Sequence, residues 1–279
     1  MAADGQESAA APTLPLCAPA QEAFCFVDRL RLSGEARAFV AEAAREPRFT
    51  CDLCGQTTRL YCSRCFWTAL PLPPALHLGL QVRIFRHPKE PAVKSSCSPL
   101  PMLAPSEIEV VEWSATAPRT TEIALQPGSW LVFPREDAMD AAELDWSAVS
   151  QLVLIDSRWK HAGAVAAHPD LAAMPAMRLS GEFRSCFWRS ITEKLDGESG
   201  LISTAECLRE VLAVRAAALG LGLDGDAGRL DDLLLLFGLR LRLIVSDYAR
   251  DPKRCCPWCT EAERRRRVHE GNARVDACR

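Results

Sequence analysis

Four regularly spaced cysteines are the first residues in this chain equipped for chemistry. CDLCGQTTRLYCSRC places Cys51, Cys54, Cys62 and Cys65 in two Cys-x2-Cys pairs. Each pair lets two thiolates reach one ion from a tight turn, and two pairs close a tetrahedron around zinc with no open position. Such a site staples the chain and positions its neighbours, but it cannot activate a water. The plainer alternatives are four unrelated buried thiols or a redox pair. A further Cys-x2-Cys, Cys256 and Cys259 in CCPWC, has only the loosely spaced Cys255, His269 and Cys278 to complete it, and an exposed thiol cluster would look the same.

A second chemical stretch is LVLIDSRWKHA, residues 152 to 162, in which an apolar run ends in an acid, a serine, an arginine and a tryptophan. An acid at the carboxyl end of a buried parallel strand sits where open α/β sheets bind their ligands. Asp156 is therefore a candidate general base. The competing reading makes Asp156 or Ser157 the N-cap of the helix that follows. Periodicity does not separate the two.

Two more segments carry groups suited to RNA. RSCFWRS, residues 184 to 190, interleaves Arg184 and Arg189 with Phe187 and Trp188. Guanidinium groups pair with phosphate and aromatic faces stack on unpaired bases. Core aromatics flanked by surface arginines would give the same pattern. HPKEPAVK presents His87, Glu90 and Lys94 just after an apolar run, in the kind of loop where functional polar groups gather. RRRR at 264 to 267 reads equally as a phosphate-contacting or nuclear-import segment and as a solvated helix face beside Glu261 and Glu263.

These residues need elements to hold them. Short apolar runs recur between turn signals at 78–85, 107–113, 129–133, 151–155 and 177–179, and predict strands. Helical spacing predicts one or two helices from Ala23 to about Glu46, interrupted at Ser33-Gly34. It predicts two more at 203–221, capped by Ser203 or Thr204, and at 229–248. Fully apolar strands such as LVLI suit a sheet covered on both faces, hence an α/β fold. The Ala/Pro-rich residues 1–20 are expected to be disordered, and the tail from 251 to be a basic helix or arm.

Composition narrows the function classes. At 279 residues and 48% hydrophobic, the chain can bury one elaborate domain plus a small module. A net charge of −3 leaves any contact with nucleic acid to a local basic face. Thirteen cysteines without a secretory signal, and an N-terminus with no Arg before Arg29, point to a reducing compartment, nucleus or cytoplasm. The most apolar segment, LLLLFGL at 233–239, is far too short for a membrane span.

Three segments in order resemble a known family. LIDSRWKHA resembles the Asp-x-Thr-Trp signature of DTW-domain proteins. RSCFWRS followed by LISTAECL resembles their Cys-Phe-Trp-Arg and Leu-Ser-Thr-x-Glu-Ala segments, and LVFPREDA resembles their strand-Phe-Pro loop. The four cysteines and the His-Pro-x-Glu stretch precede these in the family too. Two positions depart from it: the signature Thr is Arg158 here, and the Ala after Glu206 is Cys207.

The resemblance covers about residues 45–248 and is closest to the eukaryotic branch. It implies a SPOUT-like α/β fold with a C-terminal knot, in which residues 21–70 hold a helical segment and the zinc module and 75–250 the catalytic domain. It implies transfer of the 3-amino-3-carboxypropyl group of S-adenosylmethionine to N3 of a D-loop uridine in tRNA. In that setting Asp156 would take the N3 proton. Phe133, Pro134, Arg135, Ser157, Trp159, Leu201, Ser203, Thr204 and Glu206 would shape the cofactor site, and His87, Lys94, Arg184, Trp188 and Arg189 would meet RNA. A methyltransferase of the same superfamily, or a non-catalytic zinc-bearing RNA-binding protein, is the alternative.

Overall fold

QLVLID has five buried residues of six and no polar alternation, the mark of a strand covered on both faces. In a computed structural model, which describes residues 18–43, 45–113, 126–183, 185–187, 201–221 and 225–250, it is the inner strand β7 (Gln151–Asp156). Before it come the two-residue strands β1 (Phe49–Thr50) and β2 (Thr57–Thr58), then β3 (Gln81–Arg86), β4 (Ile108–Glu112), β5 (Ser129–Val132) and β6 (Met139–Asp140). After it comes β8 (Ala176–Arg178). β1 and β2 form a hairpin of their own. The other six make one sheet in the order β4-β3-β7-β5-β8-β6, with every pairing parallel.

The five apolar runs all become strands. β6 was not foreseen, because two residues of an edge strand carry no periodic signal.

Parallel strands require crossovers, and short helices lie in those from β3 to β4 and from β7 to β8. The helices are α1 (Ala18–Phe24), α2 (Phe26–Arg29), α3 (Gly34–Ala43), α4 (Leu100–Leu103), α5 (Trp159–Ala166), α6 (Pro169–Ala172), α7 (Thr204–Ala218) and α8 (Leu235–Arg250). Ser33 is not a simple interruption: its hydroxyl accepts from the N–H of Ala36 and starts α3. The helix expected at 229–248 opens as a 3-10 stretch, Gly225–Leu234, and becomes α-helical only at Leu235. Buried Asp231 and Asp232 lie in that stretch. They accept from the N–H groups of Arg31 and Ser33 and pair with Arg209 and Arg229, so side-chain bonds hold the tight turns.

The chain divides into two units. One holds residues 18–29, 186–187 and 238–250 among those described, and in it Arg242 pairs with Asp28. The other holds the described residues of 30–185 and 201–237, with the sheet and the cysteines.

In this larger unit the two sheet faces are distinct. Phe85, Leu131 and Val153 share one face with Trp113, Val165 of α5 and Leu171 of α6. By strand alternation Leu152, Leu154 and Asp156 point to the other face, where α7 packs on β7. Burying a leucine such as Leu154 contributes about 1.5–3 kcal/mol. Arg215 of α7 donates to the carbonyls of Leu78 and Gly79 and ties the helix to the entry of β3. The entry of β5 needs Gly128: at φ +81°, an added Cβ would meet the Ala148 carbonyl oxygen at 2.5 Å. Among the described residues no helix is long and apolar enough to cross a membrane.

Candidate functional site

The cysteine spacing closes as its chemistry requires. The hairpin brings Cys51 and Cys54 together, with the N–H of Gly55 donating to the Cys51 carbonyl. A paired turn between Cys62 and Trp67 does the same for Cys62 and Cys65. The four Sγ atoms lie within 4.8 Å of one another, with Cys51 and Cys62 buried. Burial, and then the three neighbouring sulfurs, push the Cys65 thiol up to about 12. A four-sulfur set of this kind fits zinc, whose charge holds thiolates together that would otherwise resist ionising side by side. Phe66 follows the last cysteine at φ +50°, and its ring lies 5.7 Å from the guanidinium carbon of Arg86, at the end of β3.

The carboxyl ends of β3 and β7 meet in register, Arg86 opposite Asp156. Asp156 is only 4% exposed. Its Oδ2 accepts from the Ser95 hydroxyl at 2.7 Å and its Oδ1 from the Thr204 hydroxyl at 2.8 Å. Neither donor belongs to α5, whose N-cap is Arg158 with no side-chain bond, so the capping alternative for Asp156 is overturned. Burial raises the Asp156 carboxyl above the usual range, opposed by the hydroxyls of Ser95 and Thr204, the Cys97 thiol and the Arg86 charge. The wholly buried thiol of Cys97, 3.1 Å from the Ser95 hydroxyl, is pushed well up by burial and by the charge of Asp156. Chemically, a carboxylate held this way at a strand end can accept a proton.

Ser95, Cys97 and Arg86 escaped sequence reasoning. Ser96 did too; its hydroxyl accepts from the N–H of Ala205 in the first turn of α7. The signal was the quartet Ser-Ser-Cys-Ser at 95–98, small residues with no period, and all four are buried.

The remaining candidates fall into groups. Ser203 and Glu206 form a reciprocal capping box at the start of α7, and Glu206 also accepts from the Ser185 hydroxyl at 2.6 Å. Thr204, between them, reaches Asp156. Leu201 is half-buried just before this helix, and Ser157 and Trp159 flank the start of α5. The Ser157 hydroxyl oxygen is buried with no hydrogen-bond partner among the described residues. Phe133 packs against the core, and Pro134 is exposed beside it. Arg135 is engaged by protein: its guanidinium donates to the carbonyls of Leu171, Ala172 and Met174 at the end of α6 and to Asp137.

His87 stacks on His161 of α5, with ring centroids 5.7 Å apart and 12° between planes. Burial, then the charges of His161 and Lys89, hold its imidazole below the ordinary value, and its Nδ1 accepts from the N–H of Lys89. Lys94 is exposed at the end of a short 3-10 turn, Ala92–Lys94, in the same loop. Arg184, Trp188 and Arg189, with the CCPWC and RRRR segments, lie outside the described residues.

Among known proteins, no curated protein matches the chain. Among solved structures, the SAM-dependent rRNA:acp-transferase Tsr3 from Vulcanisaeta distributa matches at 20% identity. It covers 51% of this chain and 71% of its own, with a TM-score of 0.36. The model of the DTW domain matches residues 48–240, from the first strand of the cysteine hairpin into α8. That span takes in well over half of the sequence, and the chain belongs to the DTW-domain family.

Proposed function

We propose that the protein transfers the 3-amino-3-carboxypropyl group of S-adenosylmethionine to N3 of a D-loop uridine in tRNA, releasing methylthioadenosine. The observation that carries this reading is the Asp156 carboxylate, held at the end of β7 inside the matched family span. The imide nitrogen of uridine is a weak nucleophile at neutral pH because it carries a proton. Asp156 accepts that proton, and its raised pKa brings it nearer the working pH of a general base. S-adenosylmethionine has three electrophilic carbons on sulfur, so geometry selects the one placed in line with N3.

Ser157, Trp159, Phe133, Pro134 and Leu201 line the cofactor site, and the Ser157 hydroxyl, unpaired among the described residues, is free to serve a ligand. Arg135, Ser203 and Glu206 hold the surrounding loops in shape through their own hydrogen bonds. His87 and Lys94, with Arg184, Trp188 and Arg189, meet RNA around an unstacked target base. Zinc on Cys51, Cys54, Cys62 and Cys65 holds the module that extends this surface through Arg59 and Arg64. In this reading the domain is SPOUT-like with a C-terminal knot. The zinc module lies within 21–70, the catalytic domain spans 75–250, and the protein works in the nucleus or cytoplasm.

Incubating the purified chain with unmodified tRNA and S-adenosylmethionine, then weighing the nucleosides, tests the proposal. A uridine carrying the aminocarboxypropyl group supports it. A methyl adduct makes the protein a methyltransferase, an adduct only on ribosomal RNA overturns the tRNA acceptor, and failure to bind S-adenosylmethionine leaves a non-catalytic RNA-binding protein.

A further inference from the structure

Both oxygens of Asp156 are already occupied by hydroxyl donors, and the carboxylate is almost fully enclosed. Each oxygen keeps a second lone pair, but with the carboxylate 4% exposed the shortest route for a substrate proton runs through one of the two hydroxyls. Ser95 is unsuited: it is buried, and its oxygen also meets the Cys97 thiol at 3.1 Å and the Cys97 N–H at 3.3 Å. Thr204 differs in both respects. It is only partly buried, and among the described residues its hydroxyl bonds to Asp156 alone, leaving its lone pairs directed elsewhere. It is also the first residue of the fifteen-residue α7, where the helix dipole favours negative charge.

We propose that Thr204 is a catalytic residue that relays the substrate proton to Asp156, rather than a group that binds the cofactor. The proposal rests on the aminocarboxypropyl-transfer reading. The N3 proton passes to the Thr204 oxygen as the Thr204 hydroxyl proton passes to Oδ1 of Asp156. The N3 electron pair forms a bond to the aminocarboxypropyl carbon attached to sulfur. That carbon–sulfur bond breaks with its pair going to sulfur, the sulfonium becomes the neutral thioether of methylthioadenosine, and Asp156 ends protonated.

The test is single-turnover transfer from S-adenosylmethionine to unmodified tRNA transcripts by the wild type, Thr204→Val and Thr204→Ser. A relay predicts that Thr204→Val slows the chemical step by about 100-fold or more while the concentration of S-adenosylmethionine needed for half-saturation stays within about twofold. Thr204→Ser, which keeps the hydroxyl, restores the rate to within about tenfold of wild type. In mixtures of light and heavy water the wild-type rate falls along a curve, because two protons move together. Undiminished transfer by Thr204→Val, a defect confined to cofactor affinity, a serine variant as slow as the valine one, or a straight-line isotope dependence overturns the relay while leaving the transfer reading intact. Wild-type protein that yields no aminocarboxypropyl adduct on RNA overturns the transfer reading and the relay with it.

Discussion

The guanidinium of Arg86 lies over the ring of Phe66, joining the residue after the last cysteine of the four-cysteine module to the strand end opposite Asp156. Zinc on the four cysteines would fix Phe66, so an empty module should loosen Phe66 and displace the Arg86 charge that favours ionised Asp156. Cys62→Ser or treatment with a strong chelator is expected to release about one zinc per chain and to lower the melting temperature by at least about 6 °C. Metal analysis and a thermal melt check both outcomes. Unchanged melting after complete metal loss would separate the module from the fold.

Asp156→Asn is expected to abolish transfer, by about 100-fold or more, while sparing the fold. The sign of its stability effect follows from the raised carboxyl. A carboxyl whose folded value lies above its unfolded value adds stability in acid, and that contribution is lost as the pH rises from the unfolded value through the folded one. The asparagine variant should therefore gain on the wild type as the solution goes from acid to neutral. Melts across that range decide it, and a variant that loses ground toward neutrality contradicts the sign.

Ser95→Ala removes one of the bonds that favour the ionised form of Asp156. The acidic limb of the rate profile, where the base becomes protonated, should move to higher pH, with the maximal rate less affected than in Thr204→Val. A limb that stays in place or shifts toward acid would show that Ser95 does not tune the carboxylate.

Arg135→Met withdraws the guanidinium from the carbonyls that end α6. The expected cost is about 1.5–3 kcal/mol of stability, the range for hydrogen bonds to a charged group. Cofactor affinity, followed by calorimetry with S-adenosylmethionine, should hardly change. A large loss of affinity at constant stability would return Arg135 to the cofactor site.

Ser157→Ala should do the reverse. Its buried hydroxyl has no partner among the described residues, so stability should hold or rise by up to about 1 kcal/mol. Affinity for S-adenosylmethionine should fall in the same calorimetric experiment, and an unchanged affinity would remove Ser157 from the site.

Local physics made part of this protein legible in its sequence. The four-cysteine cluster was readable because a Cys-x2-Cys turn brings two sulfurs together whatever the rest of the chain does. QLVLID was readable because a strand covered on both faces has no use for polar alternation. Ser203 was foreseen as a possible cap because a capping box lies within four residues.

Tertiary structure alone decided what surrounds Asp156. Ser95 stands 61 positions before it and Thr204 48 after it, and no periodicity links either to the strand. Their meeting depends on β3 lying beside β7 although three strands of the sheet intervene in sequence, and on α7 packing on one face of β7. Parallel neighbours are chosen by crossovers and burial rather than by adjacent residues. The same holds for Arg135, whose carbonyl partners lie 36 to 39 positions away, and for the stacking of His87 on His161. A carboxylate's place in the chain was written locally; the hydroxyls that meet it were set by the strand order and by the packing of α7 on β7.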